Sequence, residues 1–290
     1  MVMSAVAIFA VMDTLSKYLT RFYPILLVAW ARYAFHLILV VLALGPRLGA
    51  ALVRTPRPGA QLVRGLLLAI ASIAFISAVK YMPLAESSAI AFLGPLLVTL
   101  LSVYFLKEKV EPARWIAVVC GFIGVLTIIR PGGNVFSWAV LFPLLNAVAF
   151  ASYQILTRRL SGLESPYTSI FYSGLVGTVL LSSTLPFTWV SPISGLHVAL
   201  FMTSGLLGGL GHLILIKAYD HAPASRLAPF SYTQLIWVAM IGFFAFGDFP
   251  DAWSLTGIAI LMGSGLYTAT HQHLSDRQRL GEQTNVPTGD

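Results

Sequence analysis

Long runs of apolar residues, almost free of charge, divide the chain and restrict the folds open to it. The runs are about 18 to 24 residues long, enough for a helix to cross roughly 30 Å of hydrocarbon. Apolar residues make up 57% of the sequence and charged residues 10%, against about 25% charge in soluble domains. The runs lack the period-two alternation of a membrane barrel, and a helix satisfies its own backbone hydrogen bonds in lipid. The sequence therefore predicts an all-α integral membrane protein.

Turn and charge signals separate ten predicted transmembrane spans. Typical breaks are Gly45-Pro46, Met82-Pro83 and Pro131-Gly132-Gly133. The spans cover residues 2–20, 25–45, 61–80, 84–106, 113–130, 136–157, 166–186, 194–217, 223–246 and 252–271. The N-terminal run is interpreted as the first span and not as a removable signal. Residues 275–290 are polar without an apolar period, which predicts a cytoplasmic tail that lacks regular structure.

The second half of the chain repeats the first. The stretch from Ala78 to Pro131 is echoed from Ala218 to Tyr267. The overlay pairs Pro83 with Pro223, Phe92 with Tyr232 and Glu108 with Asp248. The sequence thus predicts two repeats, residues 1–131 and 135–271, with five spans each. Because five is odd, the second repeat must cross the membrane in the opposite sense, an inverted topology typical of transporters with a shared site near the midplane.

Basic residues predict the orientation of these spans. With both termini in the cytoplasm, most Lys and Arg residues fall in cytoplasmic loops, whereas the other side holds only Lys17, Arg21, Lys80 and Arg130. This bias explains the net charge of +7 without nucleic acid as a partner. The expected partners are the lipid bilayer and a small-molecule substrate. The sequence does not indicate an oligomeric state.

Polar, aromatic and proline residues at membrane depth are the candidates for a site. A charge at mid-span costs roughly 2.5–3.5 kcal/mol on insertion scales, so a retained one is expected to face protein or water. Asp13, Lys17 and Arg32 are predicted to form a coupling or structural network. The predicted cavity-lining residues are Phe75, Phe92, Pro95, Asn146, Phe150, Tyr153, His212, Tyr232, Gln234 and Trp237. Pro95 and Pro229 each free a carbonyl four residues earlier, which makes them hinge candidates or, alternatively, packing kinks.

Constellations for catalysis or metal binding are sparse. The sequence has no HExxH, CxxC or GxSxG pattern, and its histidines are dispersed over different segments. Glu108 and Glu111 lie among Lys107 and Lys109, where ion pairing is expected. No catalytic residue, metal or cofactor is therefore expected. Transport is favoured over a membrane enzyme, and a channel or scaffold is the third class.

The motifs of the two repeats resemble the EamA repeat of the drug/metabolite transporter superfamily. The first copy carries Pro83-Leu-Ala-Glu-Ser-Ser-Ala-Ile-Ala, Pro95, Phe-Leu-Lys-Glu108, Trp115 and Gly121-Phe-Ile-Gly124. The second copy matches more loosely, with Leu235 where the first has Pro95, Asp248 in place of the usual Glu, and a Gly-Ser-Gly run at 263–265.

This resemblance implies a ten-helix carrier of the bacterial inner membrane that alternates between inward and outward access. It implies a central cavity bounded by the third, fourth, eighth and ninth spans, with help from the first and sixth. Within the superfamily the chain is similar to bacterial amino-acid exporters, including those for aromatic amino acids. That similarity implies export of amino acids, aromatic and other neutral ones, and related metabolites; the alternative is a carrier of other small metabolites, nucleosides or drugs.

Overall fold

The structure, a computed structural model, describes residues 1–107, 112–130 and 137–284. These residues form helices and connecting turns, with no strand among them. Within them, six helical segments are long and apolar enough to cross a membrane: Val2–Leu19, Ile25–Leu52, Pro58–Tyr81, Leu84–Leu106, Trp138–Leu160 and Gly195–His221. Three shorter apolar helices accompany them, at Trp115–Ile129, Thr233–Phe246 and Ala252–Tyr267. The expected all-α membrane fold is therefore present.

The first half of the described chain contains six α-helices. They are α1 (Val2–Leu19), α2 (Ile25–Leu48), α3 (Pro58–Tyr81), α4 (Leu84–Ala91), α5 (Leu93–Leu101) and α6 (Pro112–Ile129). A 3₁₀ turn at Gly49–Leu52 follows α2, where Gly49 adopts a φ of +50° that a residue with a side chain rarely tolerates. A π-helical turn at Ser102–Leu106 prolongs α5 and ends at Lys107.

The second half contains seven α-helices. They are α7 (Leu141–Leu160), α8 (Pro166–Ser182), α9 (Leu185–Thr188), α10 (Gly195–His221), α11 (Ala224–Leu227), α12 (Thr233–Phe246) and α13 (Ala252–Thr284). A 3₁₀ turn at Trp138–Val140 precedes α7, and another at Ala228–Tyr232 joins α11 to α12. Ser165 and Ser194 cap the N-termini of α8 and α10 with their side-chain oxygens.

Each apolar segment expected from the sequence coincides with one of these helices or with consecutive helices. The structure differs from the expectation at the C-terminal tail, where α13 continues as helix to Thr284, although the sequence predicted no regular structure from residue 275. Residues 285–290 lie outside the described part of the chain, as do Glu108, Lys109 and Glu111.

Helix packing follows a two-fold pattern between the halves. In the first half α1 packs on α10 and α12, and in the second half α7 packs on α3 and α5. Likewise α2 contacts α10, and its counterpart α8 contacts α3. Two further pairs, α2 with α8 and α6 with α13, join corresponding helices directly. Every one of these contacts has its equivalent when the halves are exchanged, so the core of the molecule lies between them.

Small residues bring the corresponding helices α6 and α13 close together. A Cβ atom added to Gly124 would lie 2.9 Å from the carbonyl oxygen of Gly257. One added to Gly257 would lie 2.6 Å from the Gly124 oxygen and 2.4 Å from Ile128. Such backbone contact is the usual reason for glycine at membrane helix interfaces, where lipid provides no hydrophobic driving force.

Candidate functional site

Two helix interruptions lie at equivalent places in the two halves. The first separates α4 from α5 at Phe92, three residues before Pro95, which has no amide hydrogen to donate to the Ala91 carbonyl. The second is the 3₁₀ turn Ala228–Tyr232, which contains Pro229. Both interruptions fall where the sequence placed its hinge candidates. The Pro229 side chain is outside the described part of the structure.

A cavity lies beside both interruptions, between the two halves. The centre of a water-sized molecule can reach about 100 Å³ of it. Helices of the first half contribute Val6, Phe9, Met12, Asp13, Arg32, Leu68, Ala71, Ser72, Phe75, Ser88, Ala91, Phe92 and Pro95. The second half contributes Asn146, Phe150, Gln154, His212, Leu215, Ser231 and Gln234. The cavity therefore has an apolar, aromatic wall interrupted by a small number of polar and charged groups.

Seven of the ten cavity-lining residues proposed from the sequence lie at this cavity. They are Phe75, Phe92, Pro95, Asn146, Phe150, His212 and Gln234. Asn146 is held by a 2.9 Å hydrogen bond from its Nδ2 to the Ala71 carbonyl. His212 packs against the rings of Phe9, Phe150 and Tyr153. These contacts fix polar and aromatic side chains from α1, α3, α7 and α10 around one space.

The other three residues lie elsewhere, because the helices turn them away from the cavity. Trp237 is 43% exposed on the outer surface of α12. Tyr232 is buried against Phe92 and Gly265. Tyr153 is also buried, behind the cavity wall, with its ring stacked on Phe150 at 5.6 Å.

The charged network expected from Asp13, Lys17 and Arg32 is divided in the structure. Asp13 and Arg32 face each other at the cavity, with 3.9 Å between Arg32 Nη1 and Asp13 Oδ1. Lys17, one helical turn from Asp13, pairs instead with Asp248, 2.6 Å from its Oδ2. The Lys17 ammonium also lies 3.4 Å from the Met82 carbonyl oxygen. The single network predicted from the sequence is therefore two separate ion pairs in the structure, one at the cavity and one between Lys17 and Asp248.

Sequence reasoning did not single out the environment of Arg64. This arginine of α3 is fully buried and donates to Gln61 Oε1, Tyr153 Oη, Ser173 Oγ and the Ser169 carbonyl. It thereby ties α3 to α7 and α8. The predicted third span, residues 61–80, already contained Arg64 near its start, and α3 begins three residues earlier, at Pro58. The serines at the cavity, Ser72, Ser88 and Ser231, were also missed, since serine is common at helix-packing positions as well.

Among the described residues, no group of three or more His, Cys, Asp or Glu side chains could hold a metal ion. The cavity instead offers hydrogen-bond donors and acceptors, one pair of opposite charges and aromatic surface. This combination suits the binding of a small organic molecule.

Comparison with known proteins agrees with this geometry. The model of the EamA-like transporter family matches residues 1–130 and again residues 137–269. The S-adenosylmethionine uptake transporter of Rickettsia felis is 31% identical over 255 residues, which cover 88% of this chain and 86% of the relative. The riboflavin transporter of Vibrio cholerae is 31% identical, with 88% and 86% covered. The pseudopaline exporter of Pseudomonas aeruginosa is 28% identical, with 88% and 89% covered.

A solved crystal structure also resembles the whole molecule. It superposes with a TM-score of 0.68 and covers 92% of this chain and 97% of its own, at 19% identity, a likeness that shows the fold alone. The family model covers nearly all of the chain, and the relatives above are bacterial transporters. The chain therefore belongs to the EamA-like transporter family of the drug/metabolite transporter superfamily and is a multi-pass protein of the bacterial inner membrane.

Proposed function

We propose that this chain is a secondary transporter that carries a small organic metabolite by exposing its central cavity to each side of the membrane in turn. The observation that carries the proposal is the cavity itself, which is lined by helices of both halves. Small-molecule sites are typically concave and largely apolar, with a few placed polar groups, and this cavity has that composition.

We propose that the two halves, residues 1–131 and 135–271, form an inverted repeat with ten crossings and both termini in the cytoplasm. The two-fold packing supports the relation between the halves. Lys17 contacts both Asp248 and the Met82 carbonyl, so these two lie at one end of the bundle. From there the helical run Leu84–Leu106 leads away for 23 residues, about 34 Å at 1.5 Å per residue. This length supports placing Lys107 at the opposite end of the bundle from Asp248, which follows the equivalent helix in the second half, as the proposed inversion requires.

The helix interruptions at Phe92 and Ala228–Tyr232 give this carrier its hinges. Non-helical backbone at membrane depth is tolerated where it lines a cavity, and both interruptions contribute lining residues, Phe92 and Ser231. Rocking of the two halves around the cavity would change the backbone angles at these points while the flanking helices stay rigid.

The relatives support a wider substrate class than amino-acid export. The substrates in their names are S-adenosylmethionine, riboflavin and pseudopaline, none of which is an amino acid of proteins. We therefore put first a carrier of other small metabolites, with heterocyclic or amino-acid-derived structures, and second an exporter of neutral amino acids. Both suit the aromatic wall formed by Phe9, Phe75, Phe92 and Phe150.

Flux measurements with the purified protein in liposomes test the function. Vesicles loaded with unlabelled S-adenosylmethionine, riboflavin or L-phenylalanine are mixed with the same compound in labelled form, and counterflow is followed in both directions. We expect saturable counterflow of at least one compound, absent from protein-free vesicles and preserved in a Phe244→Ala variant, whose ring is 81% exposed on the outer surface. Unsaturable flux would indicate a channel, and no flux for any of the three would contradict the proposal.

A further inference from the structure

Asp13 and Arg32 are a pair of opposite charges that only loosely contact each other. Both side chains line the cavity, and both residues are about nine-tenths or more buried, at 5% exposure each. The nearest nitrogen–oxygen distance between them is 3.9 Å, which is an ionic contact but too long for a hydrogen bond. A buried arginine and carboxylate that exist to stabilise each other usually form two short, parallel hydrogen bonds.

The remaining contacts of the pair are weak. Arg32 Nη1 donates to the sulfur of Met12 at 3.7 Å, and sulfur is a poor acceptor. Asp13 Oδ2 accepts from Gln234 Nε2 at a long 3.4 Å. Arg64 provides the contrast within the same molecule, because its guanidinium bonds to four oxygen atoms. Arg32 thus keeps donors, and Asp13 keeps acceptor capacity, at the surface of the cavity.

Two further polar atoms of the lining have no hydrogen-bond partner among the described residues. They are Nδ1 of His212 and Oγ of Ser88, both on side chains more than nine-tenths buried. Burying a polar group without a partner costs free energy, so these two atoms are unsatisfied polar groups inside the cavity wall. Asp13 and Arg32, in contrast, place charged groups at the cavity itself.

Asp13 and Arg32 place one acidic and one basic side chain next to each other, which restricts the ligand group that can bind between them. A group with a single charge would face one attractive and one repulsive side chain, while an amino-carboxylate group offers one partner to each. Its ammonium and carboxylate sit on the same carbon atom, so it can contact two opposite charges that lie side by side. The rest of the ligand would meet the aromatic wall of Phe9, Phe75, Phe92 and Phe150.

We propose that Asp13 and Arg32 together bind the zwitterionic α-amino-carboxylate group of a metabolite, with Arg32 contacting its carboxylate and Asp13 its ammonium. This inference rests on the proposed transport function and narrows its substrate class. It favours amino acids and metabolites that retain an amino-acid arm, such as S-adenosylmethionine, over compounds such as riboflavin that have none.

Equilibrium binding to the purified protein in lipid nanodiscs tests the inference with two ligand series. One series is L-phenylalanine, 2-phenylethylamine, which lacks the carboxylate, and 3-phenylpropanoate, which lacks the ammonium. The other is S-adenosylmethionine and 5′-methylthioadenosine, which lacks the amino-acid arm. In at least one series the full amino-carboxylate is expected to bind about 10-fold to 100-fold more tightly than its truncated analogues, the range expected for hydrogen bonds to charged groups. This comparison uses the unmodified protein, so it does not depend on whether a variant folds.

Variants test which side chain contacts the ammonium of the ligand and which contacts its carboxylate. Asp13→Asn is expected to weaken binding of the full ligand about 10-fold and to abolish its advantage over the analogue without an ammonium. Arg32→Gln is expected to weaken binding of the full ligand by a similar factor and to abolish its advantage over the analogue without a carboxylate. Matched controls are Asp251→Asn and Arg21→Gln, which remove the same charges outside the cavity and should leave the discrimination unchanged.

Each outcome is decisive. Equal affinity of full and truncated ligands in both series would overturn the inference, because the pair would then be a structural link between α1 and α2. Saturable riboflavin flux without binding of any amino-carboxylate would overturn the inference and leave the transport function in place. If the three-compound counterflow assay detects no flux and nanodiscs bind neither series, both proposals fail.

Discussion

Phe92 and Tyr232, which occupy equivalent positions in the two halves of the sequence, pack against each other with 5.5 Å between their ring centroids. A residue that contacts its own counterpart lies close to the axis that relates the two copies. Both rings also lie at helix interruptions, and Phe92 lines the cavity. The aromatic pair therefore marks the place where the halves meet beside the candidate site.

The ion pair of Lys17 and Asp248 should stabilise the end of the bundle where Met82 and Asp248 lie. We expect Lys17→Gln or Asp248→Asn each to lower the free energy of unfolding by about 0.5–1 kcal/mol, a modest effect because the Asp248 side chain is 35% exposed and screened by solvent. The Lys17→Asp/Asp248→Lys double variant should recover part of the loss. Thermal unfolding in detergent at low and high salt measures the effect; a loss independent of salt would contradict the electrostatic explanation.

The close approach of α6 and α13 should be sensitive to a single methyl group. Gly257→Ala is expected to lower the unfolding temperature, because the new Cβ would lie 2.6 Å from a backbone oxygen that cannot move aside freely. Gly263→Ala, in the same helix, has no atom within 4 Å of the new Cβ and should be neutral or slightly stabilising. Equal unfolding temperatures for the two variants would show that the helices do not pack at Gly257.

Asp251 should contribute stability that depends on pH. The Ser254 amide, 2.8 Å from Oδ1, and then the Arg130 guanidinium, 2.5 Å from Oδ2, hold the pKa of the Asp251 carboxyl below its ordinary 3.8. A lowered folded-state pKa means stability that is present above the unfolded pKa of about 4 and is lost as pH falls through the folded value. Wild type should therefore unfold at a higher temperature than Asp251→Asn at pH 7.

The difference between these two proteins should shrink as the pH falls from about 4 through the lowered folded-state pKa of Asp251, below which both carry an uncharged side chain. Thermal unfolding of the pair at a series of pH values measures it. A constant difference would mean that Asp251 acts through its shape as the N-cap of α13 and not through its charge.

Replacing the Arg64 guanidinium by a group of another shape should destabilise the protein. Arg64→Lys keeps the charge, but an ammonium cannot reach the four oxygens that the guanidinium bonds on α3, α7 and α8. We expect a destabilisation of about 1–3 kcal/mol from the acceptors left unpaired. Arg21→Lys is the matched control at an exposed position. Unchanged stability of Arg64→Lys would show that lysine or water can replace these bonds.

The aromatic wall should contribute to ligand affinity. Phe150 lines the cavity and stacks on Tyr153 at an interplanar angle of 16°. Phe150→Ala is expected to weaken the binding of any transported compound about tenfold, since burial of an aromatic ring against a ligand is worth more than 1 kcal/mol. Phe244→Ala, on the outer surface, should have no such effect. Binding in nanodiscs checks both, and unfolding temperatures separate lost affinity from lost stability.

The resemblance to a family predicted the family of this chain but not its substrate. The motifs from Pro83 to Gly124 indicated the correct family, and the family model matches both halves of the chain. The step from family to amino-acid exporter was not supported, because the relatives carry S-adenosylmethionine, riboflavin or pseudopaline. The repeat motifs reflect the helical fold that these transporters have in common. Substrate choice depends instead on side chains that lie on several different helices.

The sequence by itself determined that the chain lies in a lipid bilayer and that it folds into helices. Apolar runs of membrane length must form helices, since lipid leaves backbone groups no other partner, and Pro95 predicted the interruption seen at Phe92. Tertiary structure decided which polar residues meet. Asp13 and Lys17 are one turn apart on α1, yet Asp13 faces Arg32 at the cavity while Lys17 reaches Asp248, 231 positions along the chain. Such pairings depend on how helices rotate and pack against each other, which local sequence does not specify.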